Sequence, residues 1–307
     1  MPETESNIIF GFFASRGYET QSILLLRSLR TFGEGMADTP VWIFFPESPP
    51  MEPSGQALLE SLGAVCWPFT IDESFLKFPF AGKAAASGEA EALAEAQGKI
   101  LAWHDRTGMV RQAPASFQLS EGTAFGFRPT DIANIGAPLD EPLPPFWKEI
   151  CSHFDLSVDD LPAITTAIDR KDLHLYINAG LLVVRPERGI LRRWAEALEE
   201  TFALPKFRIF YQAEQAYAIF MHQAILTAVV ALQTKPSERE ILPDTYLFSV
   251  DNFFDYPPDL RPTSLDEIVT GRFHDFFSLE NWKELIIASP ELVSWIQDQL
   301  KTGPYWP

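Results

Sequence analysis

Apolar and polar positions alternate along this chain in blocks that predict strand, loop and helix in turn. The run Ile8 to Phe13 predicts a buried strand, and polar Ala14-Ser15-Arg16-Gly17-Tyr18 predicts a turn. Apolar Ile23, Leu26 and Leu29 then carry a helical period through Phe32. Val41 to Phe45 repeats the strand signal, Gln56 to Leu62 reads as a helix stopped by Gly63, and Ala64 to Trp67 as the next strand. The Ala/Glu-rich run from Ala84 to Ala96 predicts a surface helix leading into a strand at Lys99 to Trp103. Such alternation predicts an α/β fold, three layers α/β/α around a mostly parallel mixed sheet with right-handed crossovers.

Beyond residue 105 the pattern is punctuated by proline. A strand is predicted at Ala124 to Phe127 and a helix at Pro145 to Phe154. In Leu173 to Val184 a turn feeds a buried strand; Gly189 to Phe202 and Ala213 to Leu232 read as helices. Arg272 to Phe277 predicts a late strand or strand end, and Pro290 to Leu300 an amphipathic helix opened by proline. The longest apolar stretch, Ala216 to Leu232, is interrupted by His222, Gln223 and Thr227 and is short for a bilayer, so it reads as a core helix with no membrane span expected.

With 46% hydrophobic and 13% aromatic residues, the 307-residue chain can bury a substantial core and reads as one α/β domain with an elaborated second half. The formal charge of −18 argues against nucleic acid and anionic lipid as partners, because long-range electrostatics repel both. The same field repels a phosphorylated ligand, so any phosphate site must supply a local cation, a metal or a helix N-terminus. Cys66 and Cys151 form no Cys-x-x-Cys pair and read as free buried thiols. Met1-Pro2-Glu3-Thr4-Glu5-Ser6 is acidic and polar, unlike a signal peptide, which predicts a cytoplasmic protein. Neither Gly-x-Ser-x-Gly nor His-Glu-x-x-His occurs, which leaves an unrelated hydrolase little support.

Candidate chemistry concentrates where the apolar strand Lys99 to Trp103 ends in His104-Asp105-Arg106-Thr107, since ligands of open α/β sheets sit outside the carboxyl ends of the strands. Trp103-x-Asp105-x-Thr107 resembles the Trp-x-Asp-x-Asp strand end of GT-A-fold nucleotide-diphospho-sugar transferases, the glycogenin-like enzymes included, with threonine at the second aspartate. Asn178-Ala179-Gly180 ahead of a buried strand resembles the Asn-(Ser/Ala)-Gly motif of the same enzymes. The chain is thus similar to a branch of that family with a degenerate Asp-x-Asp motif.

The resemblance implies a single GT-A-like domain over 1–307, with a nucleotide-binding half at 1–110 and a sugar and acceptor half at 111–307. It implies a protein that binds a sugar nucleotide and transfers the sugar to an acceptor, with Asp105 and Asn178 as catalytic residues. Asp105 and His274 would hold Mn²⁺ or Mg²⁺, Ser15, Arg16 and Tyr18 would meet the base and ribose, and Arg128 would meet the phosphates. Trp103, Thr107, Ala179, Gly180 and Gln223 complete the implied substrate contacts. The family's Asp-Gln pair corresponds here to His222-Gln223, so an acid is missing, and Glu214 or Asp275 is its nearest substitute. The alternative function is a carbohydrate- or nucleotide-binding protein that keeps the fold without the metal pair, which Thr107 and His222 favour. Each motif also has an ordinary structural explanation: Asp105 as a turn or capping aspartate, Asn178 to Gly180 as a bulge, His274 as a structural histidine beside Asp275.

Overall fold

The computed structural model describes residues 6–302. Met1 to Glu5, on which the expectation of a cytoplasmic protein mainly rests, lie outside the described residues. In chain order the elements are β1 (Ile8–Phe13), α1 (Glu19–Phe32), β2 (Val41–Pro46), α2 (Pro53–Ser61), β3 (Ala64–Phe69), α3 (Glu73–Leu76) and α4 (Ala81–Gln97). There follow β4 (Ile100–His104), β5 (Gly108–Val110), β6 (Phe125–Pro129), α5 (Pro145–Phe154), β7 (Ala163–Thr165), β8 (Asp172–His174) and β9 (Ile177–Val184). The chain continues through α6 (Ile190–Thr201), α7 (Pro205–Ala213), α8 (Gln215–Gln233), β10 (Arg239–Ile241), β11 (Phe248–Ser249), β12 (Thr270–Arg272) and α9 (Pro290–Thr302). Two compact units share these elements. Unit 1 takes 6–70, 100–118 and 242–302 of the described chain; unit 2 takes 71–99 and 119–241.

In unit 1 four parallel strands lie in the order β4-β1-β2-β3. Burial on both faces explains why β1, β2 and β4 read as unbroken apolar runs. Gly11 makes room for the wholly buried Trp103 of the neighbouring strand: a Cβ there would stand 3.0 Å from the indole. Before α1, the left-handed Gly17 donates its N–H to Glu19, whose other oxygen accepts the N–H of Glu52 at 2.9 Å. Buried Glu19 thus ties the helix start to the loop after β2. A second sheet, β11-β12-β5, forms where β12 runs antiparallel to β5. β5 escaped the sequence reading because three residues are too few to show a period.

In unit 2, β6 pairs parallel with β10 and antiparallel with β9, so the strands are mixed as expected. The helix expected on the surface, α4, is instead largely interior along one face: Ala84, Ser87, Gly88, Glu91 and Ala94 are buried. Its small residues allow close approach to α6, with a Cβ at Gly88 falling 3.2 Å from that of Ala195. Alanine serves both roles, as a helix former and as a small contact residue, and composition does not separate them. Glu91 accepts the N–H groups of Leu191 and Arg192 and so caps the start of α6. Helix α7, missed in the sequence, fills the interval before α8. α8 is long and apolar enough, by length and composition, to cross a membrane; Met221 to Val230 are buried, and the helix packs on α6 and β9. Both cysteines are free thiols, Cys151 buried and Cys66 half-buried.

Candidate functional site

In unit 1 the registry Phe12↔His104 sets the carboxyl ends of β1 and β4 side by side, so the loop after β1 meets the turn after β4. That turn, Asp105-Arg106-Thr107, is tight. A Cβ on Gly108 would lie 2.2 Å from the His104 ring, and His104 is itself buried, its Nδ1 2.9 Å from the Asp105 carbonyl. The Arg106 guanidinium stacks on the Tyr18 ring, 3.8 Å from its centre, and stands 5.8 Å from that of Phe13. Burial works against the charge of Arg106, lowering its pKa, while Asp105 first, then Tyr18 and Asp275, act to retain it. Its Nε is buried without a hydrogen-bond partner. Sequence reasoning passed over Arg106; the signal available was a large cation between two residues of the quoted motif.

The segment carrying His274 reaches the same turn, because the Phe273 N–H donates to the Thr107 carbonyl at 2.9 Å just beyond the β12 to β5 pairing. His274, half-exposed and at φ 40°, has Nδ1 3.0 Å from an Asp251 oxygen. Burial would raise the Asp251 carboxyl, but His274, Arg272 and the Ser249 hydroxyl hold it below its ordinary value. Asp251 is a partner that sequence reading did not name, and Ser249-x-Asp251 carries no spacing signal to His274. Arg16 pairs with Glu52 at the surface. Ser15 contributes its carbonyl to the turn, accepting from the Tyr18 N–H. Trp103 has no exposed surface.

The remaining predicted residues belong to unit 2. Phe127 pairs with Leu182 but Arg128 with Asn178, so Ala179, Gly180 and Leu181 form a bulge in β9. Asn178 is buried, and its Oδ1 accepts the Gly180 N–H at 3.0 Å, closing that bulge. Arg128 is buried opposite it. Thr227 bonds both the Ile177 N–H and the Gln223 carbonyl, which joins α8 to the start of β9. Gln223 is 6% exposed and its Oε1 is buried without a partner. His222, at the position of the missing acid, stacks on Phe80 at 4.2 Å and sets Nδ1 2.8 Å from the Ile219 carbonyl. Lys83, nearly buried, has its ammonium 5.6 Å from the Phe80 ring centre. Glu214 lies at the exposed junction of α7 and α8, outside the buried part of α8. A cavity of about 600 Å³ in this unit is lined by other residues, among them Arg188 and Arg239, which cap the final carbonyls of α8.

Residues 12–232 match the Rhodobacterales glycosyltransferase domain family. The chain belongs to this glycosyltransferase family. The match runs from within β1 to within α8; it includes Asp105 to Thr107, Asn178 to Gly180 and Gln223, and ends before His274. Among solved structures, the apo form of the bifunctional glycosyltransferase WbbM is similar with a TM-score of 0.59 at 9% identity, covering 99% of this chain and 51% of that one. This chain therefore spans about half the length of WbbM. The galactosyltransferase LgtC, in complex with donor and acceptor sugar analogs, gives 0.50 at 12% identity, covering 92% of this chain and 98% of that one. An active-site mutant of LgtC gives 0.54 at 11% identity, with 97% of each chain covered. At such identities the likeness is one of fold, and the fold is that of the GT-A glycosyltransferases. No curated protein matches the sequence.

A divalent cation is the cofactor the resemblance implies, and the donor set around the turn fits it poorly. Among the described residues no three His, Cys, Asp or Glu side chains gather as a metal centre would need. Thr107 offers a neutral oxygen where hard cations prefer an anionic one. Arg106, which feels the charge of Asp105, adds a fixed positive charge next to the one carboxylate of the turn.

Proposed function

We propose that this glycosyltransferase-family protein binds a nucleotide diphospho-sugar through the loop after β1 and the turn after β4, and transfers the sugar to an acceptor hydroxyl. The supporting observation is the stacking of Arg106 on Tyr18, which joins those two segments at the carboxyl edge of parallel strands. In this reading Tyr18, Ser15 and Arg16 face the nucleoside. Asp105, half-exposed at the strand end, accepts ribose hydroxyls. Transfer forms a bond from the acceptor oxygen to the anomeric carbon and breaks the bond to the diphosphate. The electron pair leaves with the nucleoside diphosphate, and the acceptor proton passes to a base. Fixed positive charge beside the departing diphosphate lowers that barrier. Mn²⁺ or Mg²⁺ held by Asp105 and His274 is disfavoured by a donor set of one turn carboxylate, one imidazole and the neutral Thr107 oxygen.

The test is release of nucleoside diphosphate from a panel of sugar nucleotides, with ligand-induced thermal shifts measured in parallel. Turnover for at least one donor is expected, falling about 10-fold in Asp105→Asn with folding retained, since a neutral amide oxygen accepts the ribose hydroxyls more weakly than a carboxylate does. Turnover by Asp105→Asn at the wild-type rate overturns the assignment.

A second reading, binding without transfer, is favoured by His222, whose ring is engaged by Phe80 and whose position carries no acid. Thermal shifts with no release from any donor would establish it.

A further inference from the structure

We propose that the Arg106 guanidinium supplies the positive charge that holds the donor diphosphate, so that nucleotide binding by this protein does not depend on a divalent cation. The inference rests on the glycosyltransferase reading above and names how that site meets its ligand.

Three observations lead to it. A chain of net charge −18 repels a diphosphate at long range and must supply a local cation. The turn that would hold a metal has one carboxylate, a threonine and an arginine in sequence, and no group of metal-ligating side chains collects among the described residues. Finally, Arg106 is held in place before any ligand arrives. Its guanidinium carbon lies 3.8 Å from the Tyr18 ring centre and 5.8 Å from that of Phe13, and Gly108 of the same turn packs too closely on His104 to admit a Cβ.

A guanidinium over an aromatic ring keeps its N–H groups in its own plane, and those neither engaged by the Tyr18 hydroxyl nor buried with Nε are left to meet two phosphate oxygens as a fork. Pre-organisation lowers the entropy lost on forming those bonds. Asp105 and Asp275 stabilise the charged guanidinium in its half-buried position. They also oppose an incoming anion, so each carboxylate should reduce nucleotide affinity unless it finds a separate partner. Asp105 has one in the ribose; Asp275 has none in this arrangement. That asymmetry separates an arginine site from a metal site, where removing a nearby carboxylate weakens binding or leaves it unchanged.

The experiment is calorimetric titration of ADP, CDP, GDP and UDP into the full chain, once with EDTA and once with Mn²⁺. At least one nucleotide is expected to bind with affinities agreeing within about threefold in the two conditions, since no charge is supplied by the metal. Arg106→Gln should weaken that binding about 30-fold and Arg106→Lys about fivefold, because lysine keeps the charge and loses the fork. Asp275→Asn should tighten binding about threefold in EDTA. Thr107→Asp, which restores a second carboxylate, should weaken binding in EDTA and make it Mn²⁺-dependent. Circular dichroism and Tm accompany each variant; Asp275→Asn and Thr107→Asp carry the test alone if the Arg106 variants do not fold. Binding by the wild type only with Mn²⁺, or equal binding by wild type and folded Arg106→Gln, overturns the inference and leaves the glycosyltransferase reading standing. Failure of every nucleoside diphosphate and every sugar nucleotide to bind in either condition overturns both.

Discussion

The turn after β4 in unit 1 and the bulge of β9 in unit 2 are the two places where the sequence carries a motif, and they use their polar atoms in opposite ways. At the turn, Asp105, Arg106 and the His274-Asp275 segment come together from β4 and β12, their side chains partly exposed, and the backbone contacts that fix them involve Thr107 and Gly108. At the bulge, Asn178 spends its carbonyl oxygen on its own turn, and Ala179 and Gly180 are buried. One segment gathers charge, while the other bends a strand. A motif match alone does not distinguish these roles; what distinguishes them is whether the backbone geometry consumes the side-chain atoms.

The same contrast runs through the two carboxylates that tie each unit together. In unit 2, burial raises Glu91 to about 7 although two backbone N–H groups and Arg192 favour its charged form. In unit 1, Arg111, Ser264 and Ser289 outweigh burial and hold Asp266 well below the usual carboxylate range. Glu91 binds its proton more tightly in the folded protein than in the unfolded chain. Its contribution therefore falls as pH rises from 4.5 towards 7. Asp266 behaves in the opposite sense, its contribution being present above the unfolded value and lost as pH falls through the depressed folded one.

The largest expected effect is at the turn. Gly108→Ala forces a methyl into the buried His104 ring and should cost about 3 kcal/mol, read as a lower urea midpoint with the slope unchanged. A loss under about 0.5 kcal/mol would mean that the turn yields and that Arg106 is not held as described.

Next comes the bulge, where Asn178→Ala leaves the Gly180 N–H without its acceptor and should cost about 2 kcal/mol. Asn178→Asp keeps that acceptor and removes the amide donor. It should retain most of that stability, because Oδ1 still accepts the Gly180 N–H. An equal loss in both variants would show that the side-chain oxygen does not hold the bulge.

Glu91→Gln sharpens the electrostatic side of the comparison. Between pH 5 and 7 the wild type should lose stability relative to this variant by at most about 1.4 kcal/mol per pH unit. Parallel denaturation profiles for the two proteins would refute the raised Glu91. The smallest effect is expected at Gly98, whose φ of 64° ends α4 with open space around the position where a Cβ would stand. Gly98→Ala should cost about 1 kcal/mol in Tm measurements, from backbone conformation alone.

Periodicity sufficed for much of the fold. β1, α1 and α5 fall within a residue of where the apolar pattern places them, because each buries a face or a whole run long enough to show its period. The GT-A resemblance, read from Trp103-x-Asp105 and Asn178-Ala179-Gly180, agrees with the family match over 12–232. Short β5 and the helix α7 were invisible, and α4 looked exposed because alanine does not declare which face it buries. The candidate site was legible as residues and not as relations. The stacking of Arg106 on Tyr18, the pairing of His274 with Asp251 and the use of Asn178 in its own bulge link side chains that are distant in sequence or fix which atom of a side chain stays available. The sequence by itself determined the strand-turn-helix order and the scarcity of anionic ligands at the turn, since both depend on residue type and spacing. Only the tertiary structure decided that the guanidinium of that turn lies over Tyr18, because strand registry and aromatic packing set its position and no local pattern encodes either.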